Sequence, residues 1–296
     1  MDGVLILNKP PRWTSHDVVA KVRGLLKERQ IGHLGTLDPL ATGVLPLALG
    51  AATRLIEFAS HDKEYKAVCL LGKSTDSEDV TGALLGEASA GHLTPGEVRE
   101  KTLSLRRITE QIPPMVSAIK KDGQKLYELA RQGKTVERQP RPVQIRGIEV
   151  LAVDLPRVEF RVACSGGTYV RSLCRELGER LGVGGCLEAL ERTRSGSFYL
   201  KDSLSMEELK KRIEEGNLSG LLLPSGTLLG EMPALTLDDE SLAGFCQGRA
   251  VKAPGLGAAL FQVLNARGRL AGIGAADGSD PGMIKPQKVF GPEGID

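Results

Sequence analysis

GHLGTLDPLATGVL, from Gly32 to Leu45, places one carboxylate, Asp38, among glycines, threonines and aliphatics, with Pro39 directly behind it. An Asp-Pro pair starts turns, because Asp bonds its own backbone and Pro pre-sets φ, so a plain turn accounts for the dipeptide taken alone. The flanks are regular. VLILNKP (Val4 to Pro10) reads as a short apolar strand ending in Lys9 and a proline turn. Thr14 or Ser15 then caps a helix whose apolar positions Val18, Val19, Val22, Leu25 and Leu26 recur at helical spacing. The quoted stretch follows as a loop, VLPLALG re-enters the sheet, and YKAVCLLG from Tyr65 supplies another strand.

Further along, STDSEDVTG (Ser74 to Gly82) is too polar and turn-rich for a core element and reads as a loop. TPGE at Thr94 is a helix start, with a capping threonine, a first-turn proline and a reciprocating Glu97. VEFRVACSGGTYV alternates as a strand, then breaks at Gly166 and Gly167. The helix after it carries Val170, Leu173, Cys174, Leu177 and Leu181 on one face and closes at Gly182. Tyr169 and Arg171 therefore stand at a helix entrance, where free amides and the dipole favour anions. SMEELKKRIEEG, from Ser205, is amphipathic. From about Leu235 the chain turns to short strands and glycine-rich turns, including a hairpin pattern around Gly268.

Composition narrows the function classes. A chain of 296 residues with 41% hydrophobic residues builds one large domain, or a large one with a small one. No apolar run approaches the roughly 20 residues that span a bilayer, and the N-terminus, with Asp2 running directly into VLIL, lacks the basic region and cleavage site of a signal peptide. The five cysteines are scattered, odd in number and without a CxxC pair, which points to reduced thiols in the cytoplasm. Net charge is only +2, but the segment from Lys120 to Arg146 and the run ERTRSG from Glu191 are locally basic, as a phosphate backbone requires. Aromatics at 4% are too few for a surface built of base-stacking platforms.

The four histidines, His16, His33, His61 and His92, fall in no HExxH or CxxC pattern. GxxxxGK[ST] and GxGxxG have no match, and a zinc deaminase would need a cysteine pair. Chemistry by side chains alone is left. An aspartate serves as a nucleophile when it is held ionised and aimed, and Arg171 is a candidate partner for Asp38.

GHLGTLDPLATGVLPLALG resembles, almost letter for letter, the catalytic motif of the TruB family of bacterial tRNA pseudouridine synthases. VLILNKPPRWTSHDVV, LGKSTDSEDVTG, IPPMVSAIKKDGQKLYELARQGKTVERQPRPV and CSGGTYVRSLCRELGERLG resemble further motifs of that family, in its order, over about residues 3 to 200. The resemblance implies an α+β protein with a mixed, largely antiparallel central sheet. It divides the chain into a catalytic domain at 1–230, with a basic RNA-binding segment around 110–146, and a small PUA-like β-rich domain at 231–296. Carried over residue by residue, the nucleophile falls on Asp38 and the base-flipping histidine on His33. The tyrosine that stacks on the target base falls on Tyr65, the second-motif tyrosine on Tyr169, and the arginine paired with the aspartate on Arg171. Lys9 matches the N-terminal lysine near the site, and Leu190 the leucine lining the uracil pocket, although GCLEALERTRSG departs from the usual tyrosine-leucine-arginine-arginine wording there.

The implied reaction isomerises uridine 55 in the T loop of tRNA, without cofactor or metal, after flipping the base into a pocket. The implied partner is the tRNA T arm, with no membrane and no obligatory protein partner, for a monomer in the cytoplasm. Two rivals differ in kind: a non-catalytic RNA-binding or tRNA-folding protein, which would not need Asp38, and a guide-dependent relative acting on ribosomal RNA.

Overall fold

Alternating strands with two buried faces explain why VLIL at the N-terminus is apolar throughout. In the computed structural model, which describes residues 1–117, 119–121, 123–134, 136–253, 259–277, 280 and 282–295, these residues form β1 (Gly3–Lys9). Leu5 and Leu7 face one hydrophobic cluster, and Val4 and Ile6 face another on the opposite side of the sheet. Period-2 alternation then gives a continuous apolar run, as in any strand covered on both faces.

The main sheet has eight strands. Those after β1 are β2 (Ile31–His33), β3 (Thr42–Leu49), β4 (Lys63–Leu71), β5 (Ile145–Asp154), β6 (Arg157–Cys164), β7 (Gly185–Ser195) and β8 (Phe198–Tyr199). Their spatial order is β1-β3-β7-β4-β6-β5, with β2 beside β3 and β8 beside β7. Every pairing is antiparallel except β3 with β7, where Thr42 and Gly43 lie opposite Glu191 and Arg192. The mixed, largely antiparallel sheet is as the family resemblance implied. Gly43 is required at that junction: its φ is +107°, and a Cβ there would come within 2.3 Å of the Arg192 carbonyl oxygen.

Helices cover one face. α1 (Ser15–Leu26) starts at Thr14, whose hydroxyl accepts from the Asp17 amide while Asp17 bonds back, a full capping box. α2 (Pro95–Ser104) has only half of one, since Thr94 accepts from the Glu97 amide and the expected reciprocal bond is absent. α3 (Leu126–Arg131) is the short helix of the basic segment, and α4 (Val170–Arg180) buries Val170, Leu173, Cys174 and Leu177 against the sheet. α5 (Met206–Glu214) opens with the Ser205–Glu208 capping box.

Three local readings shift. β4 begins at Lys63, two residues before Tyr65. The start of the Ser74–Gly82 loop is drawn into a hairpin in which Lys73–Thr75 pairs with Leu84–Glu87. Gly50–Phe58, unassigned from sequence, is a 3-10 helix. Of the central basic motif, Ala118, Asp122 and Thr135 lie outside the described residues, as do 254–258, 278, 279, 281 and 296 of the C-terminal region.

Among its described residues the C-terminal β-rich domain carries five strands and one helix: β9 (Ala234–Thr236), α6 (Asp239–Cys246), β10 (Val251–Lys252), β11 (Leu260–Leu264), β12 (Leu270–Ala276) and β13 (Met283–Val289). It has its own apolar cluster around Phe245, Phe261 and Ile284. It also completes another: Leu270, Ile273 and Ile295 pack with Val4, Ile6, Val44 and Leu55 on the back of β1 and β3. That shared cluster ties it to the sheet that carries the site.

Candidate active site

The loop between β2 and β3 holds Asp38, and backbone bonds fix it from several directions. The Ser15 hydroxyl accepts from the Leu37 amide at 2.8 Å and donates to the Leu37 carbonyl at 3.3 Å. The Ala41 amide closes a turn on the Asp38 carbonyl at 3.0 Å, and the Arg12 amide donates to the Pro39 carbonyl at 2.8 Å. So the Asp-Pro turn exists, inside a larger scaffold. Lys9 is fully buried behind it, and its ammonium donates to the carbonyls of Pro10 at 2.9 Å, Trp13 at 2.6 Å and Pro39 at 3.5 Å. Burial pulls that ammonium down to about 8, against the opposing pull of Asp38. Lys9 thus braces the loop from beneath.

Arg171 comes from the first turn of α4. The chain leaves β6, breaks at Gly166 and Gly167, and enters the helix with Tyr169 as N-cap, its amide donating to Gln111 Oε1 at 2.9 Å. The Arg171 guanidinium grips Asp38 with two bonds, Nε to Oδ2 at 2.9 Å and Nη2 to Oδ1 at 3.2 Å. Its other donors reach the carbonyls of Ser77 at 3.0 Å and Val116 at 2.9 Å. Arg171 is 2% exposed while Asp38 is 36% exposed, so a buried fork holds a carboxylate that still faces solvent. The polar loop supports this grip. Glu78, at φ +63°, accepts from the Ser172 hydroxyl at 2.6 Å and from Arg175 Nε at 3.0 Å, which pins the residue next to Ser77 onto α4.

Asp38, Arg171, Tyr65, Tyr169 and Leu190 line one cleft, together with Gly35, Leu37, His61, Lys63, Ser117, Thr168 and Arg192. The cavity measures about 250 Å³, below the roughly 300–1,000 Å³ of drug-sized sites and suited to a single flat base. Tyr65 lines it from β4, where it is buried, and burial raises its phenol. Burial likewise raises Tyr169, which lines it from the N-cap of α4. Leu190 lies on β7, in register with Ala67 of β4.

Lys63 and Arg192 were not singled out from the sequence, and both are buried in the wall of this cleft. The signal was present in the alternation. Along β4 the buried phase reads Lys63, Tyr65, Ala67, Cys69, Leu71, so a lysine stands where a core residue belongs. Arg192 donates to the carbonyls of Val44 at 2.8 Å and Gly35 at 3.1 Å, and it hydrogen-bonds Tyr65. Asp38 therefore sits in a loop that is apolar in sequence but underlain by cations in space.

His33 stands apart. It lies on β2, outside the residues lining the cleft, with its ring edge-on to His16 at 5.6 Å between centroids. Its Nδ1 is buried without a hydrogen-bond partner, and burial pushes the imidazole down to about 4, with His16 and Arg192 adding to the effect. His16 itself lines a neighbouring cavity that shares Asp38, Leu37 and Ser117 with the first, so Asp38 separates two concavities. Among the described residues, no group of three or more His, Cys, Asp or Glu could hold a metal ion, and no helix is long and apolar enough to cross a membrane.

The chain has counterparts among known proteins. Residues 23–170 match the TruB family pseudouridylate synthase N-terminal domain, residues 171–230 the tRNA pseudouridylate synthase B C-terminal domain, and residues 233–290 the pseudouridine synthase II TruB C-terminal region. The tRNA pseudouridine synthase B of Heliobacterium modesticaldum is 43% identical over 98% of this chain and 96% of its own. That of Geobacter sulfurreducens is 45% identical over 80% of this chain and 78% of its own. Among solved structures, a Cbf5-Nop10-Gar1 complex superposes with a TM-score of 0.76 at 27% identity, covering 98% of this chain and 86% of that one. An H/ACA RNP bound to a substrate RNA containing 2'-deoxyuridine gives 0.73 at 25%, covering 98% and 85%. The chain belongs to the TruB family of pseudouridylate synthases, isomerases that convert uridine in RNA to pseudouridine. Its C-terminal domain is consistent with a PUA-like fold.

Proposed function

We propose that this enzyme converts uridine 55 in the T loop of tRNA to pseudouridine, acting as a single chain in the cytoplasm, with Asp38 as its nucleophile. The observation that carries this reading is the two-bond grip of Arg171 on Asp38 at the mouth of a cleft sized for one base. The target base leaves the loop stack, enters the cleft and stacks on Tyr65, with Leu190 and Tyr169 closing the pocket. His33, on β2 outside the lining of the cleft, is the residue assigned to the space the base vacates. The N1–C1′ bond breaks with its electron pair staying on the uracil, and Asp38 either bonds C1′ or takes the 2′ proton. The uracil turns and C5 bonds C1′, either displacing the Asp38 carboxylate from C1′ or with Asp38 returning its proton to C2′. C5 then loses its proton and N1 gains one, so the product is an isomer of the substrate. Basic residues of the 110–146 segment and the domain at 231–296 bind the phosphate backbone and position the arm.

A second reading, action within a ribonucleoprotein particle, has the likeness to the H/ACA RNP behind it. The 43–45% identity to tRNA pseudouridine synthases, against 25–27% for those structures, favours tRNA. Asp38→Asn tests the chemistry, since it nearly preserves shape while removing the nucleophilic charge. The folded variant should bind a T-arm hairpin within about tenfold of the parent and make no pseudouridine under single-turnover conditions. Substantial conversion, with deamidation excluded by mass spectrometry, refutes the role of Asp38.

A further inference from the structure

The cleft holds more positive charge than Asp38 needs. Arg171 already neutralises Asp38, yet Lys63 and Arg192 are buried in the same wall. Among the described residues neither forms an ion pair. Arg192 spends its donors on backbone carbonyls and Tyr65. Lys63 Nζ donates to Ser195 Oγ at 2.7 Å, its partner directly across the β4–β7 register, and has two more N–H bonds to give. Lys63 and Tyr65 are two residues apart on β4 and share its buried face, so the ammonium and the tyrosine ring present to the cleft together. Gly35 lies over them at φ +110°, and a Cβ there would be in ordinary contact with both, 3.4 Å from Lys63 Cε and 3.7 Å from Arg192 Nη1. A buried cation without a counter-ion is costly, and such an arrangement suits an anion that appears only during the reaction.

The reaction supplies one. As the N1–C1′ bond breaks, its electron pair stays on the uracil, whose charge spreads over N1 and the carbonyl oxygens. We propose that Lys63 is a catalytic residue of this enzyme, donating to a uracil carbonyl oxygen and stabilising the pyrimidine anion between bond cleavage and re-bonding through C5. The inference rests on the uridine isomerisation proposed above. Its ammonium is held down to about 7, by burial first and then by Arg192, with Asp62 and Cys164 opposing and Arg194 adding. An anion arriving beside it shifts it back towards the charged form.

The test varies the leaving group. T-arm hairpins carrying uridine or 5-fluorouridine at the target position are converted under single-turnover conditions by parent and Lys63→Met protein, and loss of the starting nucleoside is followed. Fluorine withdraws electrons and stabilises the departing pyrimidine by itself. Lys63→Met should slow the uridine hairpin by about 10²–10³-fold, as loss of one donor to developing charge does, and the 5-fluorouridine hairpin at least tenfold less. Hairpin affinity should stay within about threefold. If Lys63→Met fails to fold, Lys63→Gln, which keeps a neutral donor, carries the same comparison with a smaller defect in the same order. Equal slowing of both hairpins by a folded variant overturns the proposal, and so does an unchanged uridine rate. Weaker binding with a salt slope reduced by about 1 and an unchanged rate would make Lys63 a phosphate contact instead, and also overturns it. A parent that makes no pseudouridine overturns both this inference and the reading beneath it, whereas an active parent with indifferent variants overturns only this one.

Discussion

Replacing Arg171 by lysine keeps the charge and removes the fork. In the structure the guanidinium makes four hydrogen bonds, two to Asp38 and one each to the Ser77 and Val116 carbonyls. A lysine ammonium is a point donor on a flexible stem, so it cannot face the carboxylate with two parallel bonds and also satisfy carbonyls on its other side. Loss of two of the four bonds at about 1–1.5 kcal/mol each gives roughly 2–3 kcal/mol of destabilisation. The ion-pair share is discounted, because Asp38 is 36% exposed and its charge is screened. A cost of that size lowers the melting temperature by roughly 3–5 °C in a protein of this length. The larger effect falls on catalysis, since a carboxylate free to move by about 1 Å loses on the order of 10²-fold in rate. Single-turnover conversion of a saturating T-arm hairpin should therefore fall by about 10²–10³-fold, with hairpin affinity changed less than about threefold. Circular dichroism on the same preparation checks the fold. A folded Arg171→Lys enzyme within threefold of the parent rate would refute the idea that the fork aims Asp38.

Tyr65→Phe should retain base stacking and arm binding while impairing turnover; much weaker binding with normal turnover of bound RNA would refute that assignment. His33 has a folded value near 4 against 6.5 when free, so the native state binds fewer protons and loses stability as pH falls from 6.5 towards 4. His33→Gln should remove about 2–3 kcal/mol of the stability lost between pH 7.5 and 4.5, read from urea denaturation at both values; parallel pH profiles for parent and variant would refute it. Deleting the chain after Gly230 should weaken binding of full-length tRNA more than it slows conversion of a saturating hairpin. It should also lower stability, because Leu270, Ile273 and Ile295 leave the cluster on the back of β1 and β3. Loss of hairpin conversion by a well-folded truncation would refute that division of labour.

Local chemistry was enough for the elements that position the site. Capping residues at Thr14, Thr94 and Ser205, the helical stripe from Val170 to Leu181 and the break at Gly166–Gly167 each act within a few residues, so their effects are written in short stretches of chain. The motif around Asp38 was legible for the same reason, as was the choice of Arg171 as its candidate partner. That the two meet was not, because 133 residues separate them and the grip depends on α4 packing across the sheet from the β2–β3 loop. Nor could the loop's apolar wording disclose the charge beneath it. The alternation along β4 marks Lys63 as out of place, but only the order β3-β7-β4 brings it and Arg192 together under Gly35 and removes both from water. The same holds for His33, read from sequence as part of a loop and found at the end of β2, whose neutral imidazole is set by burial and by the charges the fold places near it. Hydrogen bonds within a turn are local, whereas desolvation and charge are sums over everything that packs nearby, and only the tertiary structure performs that sum.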